Sequence, residues 1–196
     1  MSNKNKNIHF KNVESDNYTP TYYASATFNR LRCIKNYWGP SWGRSFEANL
    51  VFDGCYVGAL PSVYDKKLLK EKNITHIVSA VPGFSPPYPE DFKYLVIGSL
   101  DNKTAKLSTA FTTCNKFINE AFDQRSNVLI HCIAGRSRSA TICSAFMIDK
   151  FGMEVDDCLR IIKAKRSIIE PNSGFVEQLN YYRNHKKCLQ KIIADS

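Results

Sequence analysis

The chain has no apolar run approaching the roughly 20 residues that cross a bilayer. Its start, from Met1 to Lys6, is polar, so no secretory leader is expected. No glycine follows Met1 and no prenylation box closes the chain, so no lipid anchor is expected either. The seven cysteines are odd in number and scattered, without the paired spacings of a zinc site or a disulfide framework. No metal is expected, and free thiols suit a reducing compartment, cytoplasmic or nuclear. A glycine-rich loop ending in Gly-Lys-Ser/Thr is missing, which excludes a nucleotide P-loop. Zinc-finger spacings, RNA-recognition signatures and aromatic–basic stripes are missing too, so nucleic acid is not expected as a partner.

What is present is 196 residues, 43% of them hydrophobic, enough for one domain with a real core and too few for two of ordinary size. The net charge of +9 fits an anionic ligand and equally fits a solvated lysine surface. Residues 1–20 are polar and aperiodic and read as a mobile tail. Residues 22–46 carry Tyr22, Tyr23, Phe28, Leu31, Ile34, Trp38 and Trp42, too much large apolar surface for a solvated linker. Residues 1–47 are therefore set apart as an extension, a tail followed by an aromatic segment docking on the core or a partner. Residues 48–196 are expected to form the main folded domain.

From Ala48 the pattern is regular. Leu50 to Phe52, a turn at Asp53 and Gly54, then Cys55 to Val57 read as a hairpin. Pro61 and Ser62 open a helix that buries Val63, Leu68 and Leu69. Strands follow over residues 75–81 and 92–97, separated by a proline-rich loop, then a helix over residues 107–122. After a strand beginning at Asn127, helices are expected over residues 139–151, from Val155 to about Arg166, and over residues 175–189. Strands alternating with helices make an α/β domain with a central, largely parallel twisted sheet flanked by helices.

One stretch carries chemistry. Val128 to Ile130 is a short branched run suited to a buried strand; it ends in His131 and Cys132, bends through Gly135, and enters a helix at Arg138 and Ser139. A thiol at the join of strand and helix sits near the helix's positive end, where unpaired amides converge on an anion. Helix, amides and the Arg138 charge all favour thiolate. Arg138 offers a planar fork to two oxygens of such an anion, and Ser139 a further hydrogen bond. Ile133, Ala134, Gly135, Arg136 and Ser137 are expected to contribute backbone amides rather than side chains. His131 is expected to hold the loop through hydrogen bonds.

The pattern His-Cys, five residues, Arg-Ser resembles the phosphate loop of the cysteine-dependent protein phosphatases, in its fuller form most like the dual-specificity branch. A later segment, Arg166 then Glu170-Pro-Asn-Ser-Gly-Phe175 and Gln178-Leu179, resembles the dual-specificity pattern in which an arginine precedes Pro-Asn-x-Gly-Phe. The resemblance implies that Asn172 helps fix the cradle and that Arg166 is structural or touches substrate. It implies a proton donor on a loop roughly thirty residues before the cysteine, the place of Asp101; Asp91, the rival, stands before a strand. It implies a cysteinyl-phosphate intermediate, no cofactor, and a shallow site open to phosphotyrosine, phosphoserine and phosphothreonine. A bell-shaped pH profile and inactivation by oxidation of an exposed Cys132 thiolate follow. Phosphorylated protein is the expected substrate, and a monomer or a dimer joined through the N-terminal arm the expected state. Three other readings stay open: a phosphoinositide phosphatase using Arg136, an RNA 5′-phosphatase, and a noncatalytic binder of phosphorylated partners.

Overall fold

In the computed structural model, which describes residues 10–13 and 47–194, Val128, Leu129 and Ile130 lie in the middle of a six-stranded sheet. Its strands are β1 (Phe10–Val13), β2 (Ala48–Phe52), β3 (Cys55–Ala59), β4 (Ile74–Ser79), β5 (Lys93–Ile97) and β6 (Asn127–Cys132). They run in the order β1-β5-β4-β6-β3-β2, all neighbours parallel except the β2–β3 hairpin. The helices are α1 (Lys66–Glu71), α2 (Phe111–Asp123), α3 (Arg138–Phe151), α4 (Val155–Lys165) and α5 (Ser173–Ala194).

A strand with parallel neighbours on both sides is covered on both faces, which is why β6 reads as a continuous apolar run rather than an alternating one. The period of two then decides what each residue meets. Val128, Ile130 and Cys132 join the larger core with Phe111, Ile142, Phe146, Ile162 and Phe175 from the helices. Leu129 packs in the smaller core on the opposite face, with Leu60, Val63, Leu69 and Ile77. Cys132 therefore enters the face that α3 covers, and α3 is buried from Arg138 through Ile148.

Boundaries move where capping chemistry overrides periodicity. Pro61 lies in a 3-10 turn (Leu60–Tyr64), and α1 starts afresh because the Asp65 carboxylate accepts the Leu68 amide at 3.0 Å. A second 3-10 turn, Leu107–Ala110, precedes α2. The last helix begins at Ser173 rather than 175, its first turn held by the Asn172 side chain accepting the Phe175 amide at 3.1 Å. Helix α3 stops, as expected, at Gly152 with φ 67°.

One expectation is corrected. Phe10–Val13, read as part of a tail, is an edge strand paired in parallel with β5, Phe10 opposite Tyr94 and Val13 opposite Ile97. Four residues inside a polar stretch carry no period of their own; the pairing comes from the open edge of β5. The aromatic segment 22–46, with its expected docking or dimer arm, lies outside the described residues.

Candidate active site

The carboxyl ends of β3, β4 and β6 meet at one edge of the sheet, where His131 stands beside Gly58 and Ser79. Each carbonyl of the loop that follows is taken by a donor from outside it. Ile133 O accepts the Leu60 amide at 3.1 Å, and Arg136 O the Glu170 amide at 3.0 Å. Arg166 donates from Nη2 to Ala134 O at 3.2 Å and from Nε to Gly135 O at 2.7 Å. Ser137 O accepts both the amide and the hydroxyl of Thr141, each at 2.9 Å. Peptide N–H and C=O point in opposite directions, so carbonyls tied outward turn the following amides inward. One of those amides, of Arg136, reaches the Cys132 sulfur, and so does the Ser139 amide in the first turn of α3.

Burial alone would raise the Cys132 thiol. The Arg138 charge, the Ser139 hydroxyl at 3.3 Å and the two amides outweigh it and bring the thiol below its ordinary value. The exposed thiolate expected from the sequence is corrected: Cys132 is 1% exposed, at the floor of the loop, because β6 delivers it beneath α3. Arg136 on the loop's outer side is exposed. His131 points to the other face, where its Nε2 meets the Ser79 hydroxyl at 2.7 Å and Phe84 lies edge-on at 5.2 Å. Burial, with Arg138 nearby, lowers its pKa to about 4, against a raising contact with the Cys132 backbone. It is a neutral brace.

Arg138 is 6% exposed; Nη1 donates to Ser99 O at 3.1 Å and Nε lies 3.5 Å from Asp101 Oδ2. Asp101 also accepts the Ser137 hydroxyl at 2.7 Å and the Asn172 amide group at 3.0 Å, both on Oδ1. Asn172 in turn donates its backbone N–H to Ser137 Oγ at 3.3 Å. The structure thus brings Cys132, Arg138, Asp101, Ser137, Ser139 and Asn172 together. Asp91 is elsewhere, paired with Lys66 at 2.5 Å and Lys70 at 2.7 Å.

Two residues do more than their sequence suggests. Ser137, expected to offer only backbone, uses its hydroxyl to join the loop to Asp101. Arg166 is the loop's clamp: besides the two loop carbonyls it holds Asn49 Oδ1 at 2.9 Å, which ties β2 to the cradle. Gly135 lies beneath that clamp at φ 64°, and a Cβ there would come within 2.6 Å of the Gly58 backbone and of Arg166 Nη2. Only glycine fits. Arg136 pairs with Glu170 at the rim.

The chain has counterparts among known proteins. A model described as the dual specificity phosphatase catalytic domain matches residues 55–185. The chain belongs to the dual specificity phosphatase family. The resemblance read from the His131–Ser139 stretch is borne out, and so is the α/β fold. Dual specificity protein phosphatase 1 of Arabidopsis thaliana is 38% identical over 131 residues, 67% of this chain and 66% of that one. Dual specificity protein phosphatase 22 of Homo sapiens is 33% identical over 138 residues, 70% of this chain and 74% of that one. Among solved structures, human tyrosine phosphatase-like serine/threonine/tyrosine-interacting protein superposes with a TM-score of 0.70 at 29% identity, covering 72% of this chain and 99% of that one. DUSP15 gives 0.67 at 33% identity over 71% of this chain and 88% of its own. Dual specificity phosphatases are protein phosphatases, and this chain carries their catalytic domain.

Proposed function

We propose that the chain hydrolyses phosphotyrosine and phosphoserine/phosphothreonine esters in proteins, with the phosphoryl group passing through Cys132. The observation that carries this reading is Asp101, far from the loop in sequence, hydrogen-bonded to Ser137 above the Cys132 floor and beside Arg138.

In the first step the Cys132 thiolate attacks phosphorus, an S–P bond forms, and the ester P–O bond breaks. Protonated Asp101 gives its proton to the departing oxygen. Arg138 and the inward amides hold the non-bridging oxygens where charge develops. Asp101, now a carboxylate, then takes a proton from water as the water oxygen attacks phosphorus; the S–P bond breaks and inorganic phosphate leaves. A hydroxyl both donates and accepts, so Ser137 can serve Asp101 in either state.

Arg136 would be the handle for a polyanionic lipid head group, but Glu170 already occupies it, which weighs against a phosphoinositide substrate. The test is phosphate release from an aryl phosphate and from phosphotyrosine and phosphothreonine peptides. The reading expects release from all three and none by Cys132→Ser. Binding of phosphopeptide without release by the unmodified chain would overturn it in favour of a noncatalytic binder.

A further inference from the structure

The loop carrying Asp101 is held from one side by the start of α5. Within the loop, the Asn102 side chain gathers the amides of Thr104 at 3.1 Å and Ala105 at 2.8 Å, and the Thr104 hydroxyl at 3.0 Å. That makes residues 101–105 one local turn. Gln178, one turn into α5, then grips the loop's far end with both halves of its amide. Its Oε1 accepts the Ser108 N–H at 2.9 Å, and its Nε2 donates to Ala105 O at 2.8 Å and to Gly174 O at 3.1 Å. Gly174 supplies the close approach: a Cβ there would fall 2.0 Å from Lys103 O and 2.8 Å from Lys103 Cα. Asn172 completes the grip at Asp101 itself.

We propose that Gln178 and Gly174 are positioning residues for proton donation, setting Asp101 over the cradle by fixing both the end and the middle of its loop. The inference rests on the reading of Asp101 as proton donor. Neither residue touches the cradle carbonyls, which Leu60, Arg166, Glu170 and Thr141 hold. Loss of the grip therefore separates two functions that a general loss of structure would impair together. Nucleophile activation stays, and leaving-group protonation fails.

The experiment compares kcat/KM, which covers only the steps through cleavage of the ester bond, for an aryl phosphate whose leaving group needs little protonation and for a phosphothreonine peptide whose leaving group needs it fully. Gln178→Ala is expected to lower kcat/KM on the peptide by about tenfold or more, as a displaced catalytic group does. The aryl phosphate should change far less in kcat/KM. Gln178→Glu keeps an acceptor for Ser108 but loses the donor to Ala105, and should fall between. Gly174→Ala, which pushes the Lys103 backbone instead, should reproduce the peptide-selective loss. Adding Gln178→Ala to Asp101→Asn should cost nothing further, because both act through one proton. The rate of Cys132 alkylation against pH should match the parent chain in Gln178→Ala and in Gly174→Ala. Equal losses on both substrates, or losses that multiply with Asp101→Asn, would overturn the inference. A normal peptide rate in Gln178→Ala beside a slow Asp101→Asn overturns it alone. A normal rate in Asp101→Asn overturns the proton-donor reading, and this inference with it.

Discussion

Asp101 accepts the Ser137 hydroxyl at 2.7 Å, so the carboxyl proposed to protonate the leaving group is bonded to the loop proposed to hold the phosphate. The two residues come from different strand–helix crossovers and meet only because β5 and β6 end at the same edge of a parallel sheet. The relationship has kinetic consequences.

Asp101→Asn removes the proton but keeps the shape. Turnover of phosphopeptides should fall by about 10²- to 10⁴-fold, the usual worth of a general acid. Substrate KM should change little. The parent chain should lose rate at low pH, where the Cys132 thiolate is protonated. This acidic limb, set by Cys132, should remain in Asp101→Asn.

The thiolate has its own signature. A depressed thiol pKa leaves the sulfur ionised above that value and protonated below it. Inactivation by iodoacetamide should therefore rise with pH and reach its plateau below the ordinary thiol value of about 8.5. Ser139→Ala removes the hydroxyl at 3.3 Å that favours the anion, and should move the curve to higher pH. Cys132 is 1% exposed, so small reagents should react far faster than bulky maleimides.

His131 predicts a pH window for stability. Its pKa falls from 6.5 to about 4 on folding, so the unfolded chain binds the proton more readily. The contribution is fully present above pH 6.5 and is lost as pH falls towards 4. The whole effect is on the order of 3 kcal/mol at most. Urea denaturation at a series of pH values should show the slope, and His131→Gln should reduce it across that window, the buried His76, whose pKa is also lowered by burial, keeping part of it.

Arg166→Met should destabilise the fold by roughly 3 kcal/mol, since it leaves one buried and one half-buried loop carbonyl and the Asn49 side chain without their donor. Arg166→Lys should not restore it, because an ammonium cannot span three acceptors with a planar fork. Thermal melts of both variants check this.

How much of this could be read from the chain alone varies with the kind of force involved. The strand–thiol–loop–helix stretch is contiguous, so Cys132, Arg138 and Gly135 announce themselves by order and spacing. Asp101 needed a family resemblance, because a carboxylate in a polar loop looks like any turn residue until β5 delivers it. By sequence Ser137 offers only backbone and Arg166 stands between two roles; what decides each is a partner many residues away, Asp101 in one case and Asn49 in the other. Gly174 gave no local sign of its use, since what it admits is the Lys103 backbone of another loop. The β1 strand escaped because its four residues borrow their structure from the edge of β5.

The central claim is that the phosphoryl group rests on Cys132 during turnover. A rapid denaturing quench of Asp101→Asn with excess aryl phosphate, followed by peptide mass mapping, measures this directly. The account predicts a phosphoryl adduct on the peptide containing Cys132, absent in Cys132→Ser. An adduct on another residue, or undiminished phosphate release by Cys132→Ser, would contradict it.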